Sequence, residues 1–286
     1  MTSKSNAVLL ISCPDQRGLV AQIAQFIFQN HGNILHSDHH TDAVSGLFLM
    51  RIEWELDGFQ IAREKIAPTF APLAASLKLD WELHFSDPPS RMAIFVSRQS
   101  HCLYDLLWRH SAGELPAEVV AVISNHPDMA AVVERHGIPF AVFPISPETK
   151  AEQERRELEL LIQQRVDLVV LARYMQILSP QIVDRYPHRI INIHHSFLPA
   201  FAGPKPYHQA HERGVKLIGA SAHYATAELD EGPIIEQDVV RVSHRDTVED
   251  LVRKGRDLER VVLARAVRLH LEHRVLPYGR KTVVFD

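Results

Sequence analysis

The chain has 286 residues, 46% hydrophobic and 23% charged, which is the composition of an ordinary folded protein with room for two domains. A formal net charge of −4 argues against the broad basic surface of a nucleic-acid or anionic-membrane binder. Two cysteines, Cys13 and Cys102, are too few and too separated for a disulfide framework or a thiolate metal cluster, and so fit a reducing, cytoplasmic setting.

The first apolar run, in MTSKSNAVLLISCPDQRG, is too short to cross a membrane and is interrupted by Pro14 and Asp15; it reads as a strand and not as a signal peptide. AVLLISC predicts a strand, CPDQRG a turn, and LVAQIAQFIFQNHG a helix with Leu19, Ile23, Phe26 and Ile27 at helical spacing. NILHSDHHT and SGLFLMRIEWEL predict two strands around DAVSG. GFQIAREKIAPTFAPLAASLK predicts a second helix, disturbed at Pro68 and Pro72, and LDWELHF a last strand. The order βαββαβ is the ferredoxin-like plan over residues 1–85. The proline-rich SDPPS, residues 86–90, is the expected linker. His36, Asp38, His39 and His40 have the composition of a metal site, but strand alternation divides them between two faces, which favours a half-exposed strand.

Residues 91–286 follow a different rhythm. Short apolar runs (MAIFVS, EVVAVIS, PFAVFPI, VDLVVLA, RIINI) alternate with helical stretches such as DMAAVVERHG and AEQERRELELLIQQR. Strands without polar alternation, interleaved with helices, predict a Rossmann-like α/β domain with a mostly parallel sheet covered on both faces. KLIGASAHY and PIIEQDVVRV form a later pair joined by ATAELDEG. A long amphipathic helix closes the domain, with Val248, Leu251, Val252, Leu258, Val262 and Leu269 on one face.

The run RIINI ends in Asn192 and His194, whose side chains alternation places on one face at the C-terminal end of a parallel strand, where open α/β sheets bind ligands. An amide donor and an imidazole converging there suit a developing oxyanion; a strand cap with satisfied polar groups is equally compatible with the spacing. Asp230, between Glu228 and Glu231 in the acidic loop, could favour an imidazolium or hold a water, or it could belong to a solvated turn. A zinc hydrolase could draw on His194, His195, His208, His211 or His223, but chance clusters are expected among 18 histidines, and no GxSxG elbow supports a serine nucleophile.

NIHHSFLP, the following His208, GASAHYATAELDEGPIIEQ and VDLVVLARYMQILSP together resemble the folate-dependent formyltransferase and formyl-hydrolase superfamily over residues 91–286. The resemblance implies binding of 10-formyltetrahydrofolate, catalysis by Asn192, His194 and Asp230, and a folate pocket at Met175, Gln176, Ile177 and Leu178 and at Ala225, Thr226 and Ala227. CPDQRGLVAQIAQFIFQNHGNI is similar to ACT modules, which implies a regulatory half with an amino-acid effector and a homo-oligomer.

A transformylase of glycinamide ribonucleotide would need a glycine-containing loop to cradle phosphate, and FVSRQSHCLYDLL has none. A transfer-RNA formyltransferase would need a basic surface and a further C-terminal domain, whereas this chain is slightly acidic and ends soon after the closing helix. Water is the remaining acceptor. The two-part order is accordingly similar to the formyltetrahydrofolate deformylase family, which implies release of formate for purine synthesis with no metal or other cofactor. Formyl transfer to a small amine is the alternative.

Overall fold

A computed structural model describes residues 5–200 and 206–286. The N-terminal unit contains β1 (Asn6–Pro14), α1 (Leu19–Gln29), β2 (Ile34–Asp42), β3 (Leu47–Glu55), α2 (Arg63–Leu77) and β4 (Asp80–Phe85). Its sheet runs β2-β3-β1-β4 with each neighbouring pair antiparallel. One face of β1 and β3 contributes Leu9, Ile11, Met50 and Trp54 to a core shared with Ile23 and Ile27 of α1 and Phe70 of α2. Pro68 and Pro72 lie inside α2 without ending it. Each removes a backbone donor, yet burial of Ile66, Phe70, Ala74 and Leu77 on one side holds the helix to the sheet.

In the second unit β5 (Ser90–Val96) is followed by α3 (His101–Ser111), β6 (Ala117–Ser124), a 3₁₀ turn and α4 (Ala130–Arg135), β7 (Phe140–Val142), α5 (Lys150–Gln163), β8 (Leu168–Leu171), α6 (Pro180–Val183), β9 (Ile190–His194), α7 (Pro206–Glu212), β10 (Leu217–Tyr224), β11 (Ile234–Arg241) and α8 (Val248–Leu271). The sheet order is β11-β10-β9-β8-β5-β6-β7. The five strands from β9 to β7 are parallel, and β10 and β11 extend the β9 edge antiparallel. Chain order reverses beside β5, so the C-terminal ends of β5, β8 and β9 frame a crevice of the kind that receives ligands.

Three features differ from the sequence expectation. The strand β5 begins at Ser90, inside the expected linker. The chain also ends in a hairpin, β12 (Val275–Tyr278) and β13 (Lys281–Val284), and Glu272–Leu276 with Val283–Asp286 group with the N-terminal unit, so residues 91–286 are not one compact body. Arg51, in mid-strand β3, supplies the reason: it is 7% exposed, and its guanidinium donates to the carbonyls of His273 (2.9 Å) and Glu272 (3.1 Å). Finally, the buried stripe of α8 runs through Leu251, Gly255, Glu259, Val262 and Ala266, leaving Val252 and Leu258 on its flank. Two non-apolar residues, Gly255 and Glu259, occupy core positions that a hydrophobicity pattern does not reveal.

Candidate active site

Asn192 and His194 stand at the C-terminal end of β9, and the antiparallel register of β10 sets His223 opposite Asn192. The Asn192 amide donates from Nδ2 to His223 Nε2 at 3.1 Å, and His223 Nδ1–H donates to the Tyr224 carbonyl at 2.9 Å. These two bonds select the neutral Nδ1–H tautomer of His223. His223 Nε2 also lies 3.6 Å from Asp230 Oδ1, longer than a hydrogen bond, so the Asn192 contact is the one that orders the ring.

Asp230 reaches this cluster from the β10–β11 loop. It holds a left-handed φ of 58°, which aspartate tolerates better than most residues. Gly232 makes the approach possible, because a Cβ there would fall 1.7 Å from the Tyr224 carbonyl oxygen. Asp230 Oδ1 comes 3.2 Å from His194 Nδ1. Hydrogen bonding to His194 holds the Asp230 carboxyl well below the usual carboxylate range. It is therefore ionised at neutral pH. The other ring nitrogen of His194, Nε2, is buried and has no hydrogen-bond partner among the described residues. That donor-capable atom is what a solvated strand cap would not leave behind.

A cavity of about 490 Å³ opens over these groups. Asn192, His194 and Asp230 line it together with Met175, Gln176, Ile177 and Leu178 on one side and Ala225 and Thr226 on another. Ala227 is the exception: it is exposed and does not line the cavity, whereas Leu229, 62% exposed, does. The loop turns between them, with the Thr226 hydroxyl donating to the Glu228 carbonyl at 2.9 Å. Met175 and Ile177 are also largely exposed, so the cavity carries the apolar rim that suits a flat aromatic ligand. Ser97, at the end of β5, donates to Asn125 Oδ1 (2.7 Å) and accepts the Met175 N–H (3.0 Å), tying the wall to the sheet.

Behind the cavity lies a buried polar hub. Glu259 of α8 is 1% exposed and accepts from the Tyr207 hydroxyl (2.7 Å) and from His101 Nε2–H (2.8 Å), with Arg173 Nε at 3.4 Å. Burial alone would push the Glu259 carboxyl up; the His101 bond, the Arg173 charge and the Tyr207 bond reverse this and leave it below its ordinary value. Gly255 is required here because a Cβ would fall 2.1 Å from the Tyr207 hydroxyl. Arg173 lines the cavity and has φ 63°. Burial, aided by the Arg173 charge, lowers His195 to about 4, so it stays neutral beside His194.

Among the described residues, the grouping of His, Cys, Asp and Glu ligand atoms close enough for a metal is His101, Cys102 and Glu259. It fits a cation poorly. The Arg173 guanidinium already neutralises Glu259, and burial pushes the Cys102 thiol well up, away from the thiolate a metal needs. The histidines weighed as zinc ligands, His194, His195, His208, His211 and His223, are not brought together as three. Among the described residues no helix is long and apolar enough to cross a membrane.

Reasoning from sequence missed Arg173 and His223 as cavity residues, whereas Leu229 falls within the acidic-loop segment, residues 225–230, that the resemblance assigns to the folate pocket. Alternation along β10 could have flagged His223, since a histidine within an otherwise apolar buried strand requires a partner. Nothing in the local pattern marked Arg173.

Residues 90–267 match the formyl transferase family. The chain is 63% identical to the formyltetrahydrofolate deformylase of Synechocystis sp. over 98% of both chains, and 50% identical to that of Bacillus subtilis over 97% of this chain and 93% of the relative. Its structure is similar to the crystal structure of a formyltetrahydrofolate deformylase from Pseudomonas syringae pv. tomato (TM-score 0.97, 49% identity, 100% of this chain and 96% of that one). A glycinamide ribonucleotide transformylase from Symbiobacterium toebii aligns at TM-score 0.66 and 34% identity, over 72% of this chain and 98% of its own.

Proposed function

The chain belongs to the formyltetrahydrofolate deformylase family, and on that premise we propose that Asn192, His194 and Asp230 carry out the hydrolysis of 10-formyltetrahydrofolate to formate and tetrahydrofolate. The observation that carries this assignment is the polarity of His194: Nδ1 faces Asp230 at 3.2 Å, while buried Nε2 has no partner among the described residues and His194 shares the cavity lining with Asn192.

The formyl carbonyl oxygen accepts from Asn192 Nδ2 and from His194 Nε2–H, and Asp230 stabilises the imidazolium through Nδ1–H. A water held by Asp230 attacks the formyl carbon. Because the Asp230 carboxyl lies so far below the ordinary range, it is a weak base. Water therefore passes its proton to Asp230 as the C–O bond forms and not before, and Asp230 returns that proton for N10 as the intermediate breaks down. The tetrahedral intermediate collapses when N10 takes up a proton and its bond to carbon breaks, releasing formate and the tetrahydrofolate amine. Met175, Gln176, Ile177, Leu178, Ala225 and Thr226, which line the cavity, hold the folate. No metal enters the reaction.

Incubation of the purified protein with 10-formyltetrahydrofolate under exhaustive chelation tests the assignment: formate and tetrahydrofolate should appear in equal amounts with no amine present. Loss of activity restored by zinc would overturn the metal-free mechanism. Product formation only when glycinamide or glycinamide ribonucleotide is added would make the protein a transferase, the second reading that the transformylase likeness keeps in view. Replacing Asn192 by Ala should lower kcat by about 10²–10³.

The formate serves purine synthesis, and the reaction runs in the reducing cytoplasm that suits the free, buried Cys13 and Cys102. The N-terminal unit, with the βαββαβ order of ACT modules, binds a small amino acid between copies of the chain in a homo-oligomer. Glycine and methionine titrated into the full-length enzyme should change the rate severalfold, consistent with couplings of about 1–3 kcal/mol. Light scattering that finds a monomer, or rates indifferent to every amino acid, would overturn this part.

A further inference from the structure

The inward face of α5 presents Glu154 (4% exposed), Glu157 (0%) and Leu161 (0%). Two carboxylates stand where apolar residues would contribute more stability, because a buried carboxylate carries a desolvation cost of several kcal/mol unless it is well paired. Neither is fully paired: Glu157 Oε2 and Glu154 Oε1 have no hydrogen-bond partner among the described residues. Stability therefore does not account for them.

Their contacts point instead to residues 173–178, the wall of the cavity. The Tyr174 hydroxyl donates to Glu157 Oε1 at 2.9 Å, and its ring meets Phe95 of β5 edge-on at 5.1 Å. Lys150, at the start of the same helix, donates from Nζ to the Ile177 carbonyl at 2.6 Å and lies 3.7 Å from Glu154 Oε1. One rigid helix thus grips the wall at two points three residues apart, on either side of Met175 and Gln176. A loop that must present apolar side chains to solvent has little packing of its own to hold it, so anchors of this kind fix its shape before ligand arrives.

We propose that Glu157 and Lys150 are positioning residues that pre-form the substrate-binding wall through Tyr174 and the Ile177 carbonyl, so that their loss weakens binding of the reduced folate without slowing the chemistry. This rests on the reading of the cavity as the folate site.

The full-length enzyme with Lys150→Met, Tyr174→Phe, Glu157→Leu and Glu157→Gln tests it, with steady-state hydrolysis of 10-formyltetrahydrofolate and equilibrium binding of tetrahydrofolate by fluorescence. Lys150→Met, on a partly exposed side chain, should raise KM about threefold; Tyr174→Phe and Glu157→Leu should raise it about tenfold, with kcat within about twofold of the parent. Glu157→Gln keeps an oxygen for the Tyr174 hydroxyl and should restore KM. Tetrahydrofolate affinity should fall in parallel. Unchanged KM in Lys150→Met and Tyr174→Phe, a fall in kcat at constant KM, or a Glu157→Gln variant as impaired as Glu157→Leu would each overturn the proposal. A parent enzyme that releases no formate would overturn the catalytic reading alone, and tetrahydrofolate binding would still report on the wall.

Discussion

Glu259 on the α8 side of the catalytic unit and Glu157 on the α5 side are both buried, and the two behave oppositely. Glu259 has donors from His101 and Tyr207 and the Arg173 charge beside it, and its carboxyl stays below the ordinary value. Glu157 has the Tyr174 hydroxyl on one oxygen and no partner among the described residues on the other, and burial, opposed by that one bond, pushes it up to about 7. The two are almost equally hidden, at 1% and 0% exposure. The number and charge of the donors, not depth, decide which carboxylate keeps its charge. Asp230, only half-buried but facing two imidazoles, sits with Glu259 in this respect.

The largest test of that contrast is Glu259→Leu. Removing the carboxylate leaves the Arg173 guanidinium and the His101 and Tyr207 donors unmatched in the interior, and should cost about 3–5 kcal/mol in denaturant unfolding. A loss under 1 kcal/mol would mean that the hub is no more than a solvated pair.

Glu157→Gln should go the other way. In the parent, the unfolded chain releases the Glu157 proton at its ordinary value near 4.5 and the folded chain only near 7, so stability falls as pH rises between those values and is flat above. Glutamine does not titrate. The variant should therefore gain on the parent across pH 4.5 to 7, by on the order of 3 kcal/mol at the upper end, and hold that margin beyond it. Melting curves at a series of pH values decide the matter, and parallel curves for the two proteins would break the comparison.

Gly255→Ala sets two effects against each other. Alanine favours a helix interior by about 1 kcal/mol, but its methyl group would displace the Tyr207 hydroxyl from Glu259, at about 1–3 kcal/mol for the buried oxygen left unmet. A net loss of about 1 kcal/mol is expected. A gain would show that Tyr207 contributes little to holding Glu259. The smallest effect belongs to a surface pair on the same helix, Arg253 with Asp250 at 2.8 Å. Arg253→Ala should leave the midpoint of denaturant unfolding indistinguishable from the parent's, because solvent screens the pair.

Much of this architecture is legible without coordinates. The periods of the apolar residues separate βαββαβ from the alternating α/β half, and alternation along RIINIH puts Asn192 and His194 on one face at the ligand-binding end of a strand. Such patterns are local, set by backbone geometry over a handful of residues, and so survive in the sequence.

Contacts between distant segments do not. That Asp230 meets His194 depends on the left-handed turn at Asp230 and the space left by Gly232; that His223 meets Asn192 depends on the antiparallel register of β10. Glu157 and Glu259 read as solvated faces of amphipathic helices, and Arg51 as an unremarkable strand residue, until tertiary packing removes water from around them. The sequence by itself determined which side chains each strand and helix offers to each face, because the 2.0 and 3.6 residue periods are properties of the backbone. Only the tertiary structure decided which of those side chains pair and which carboxylates remain charged, because both depend on distance and desolvation between residues far apart in the chain.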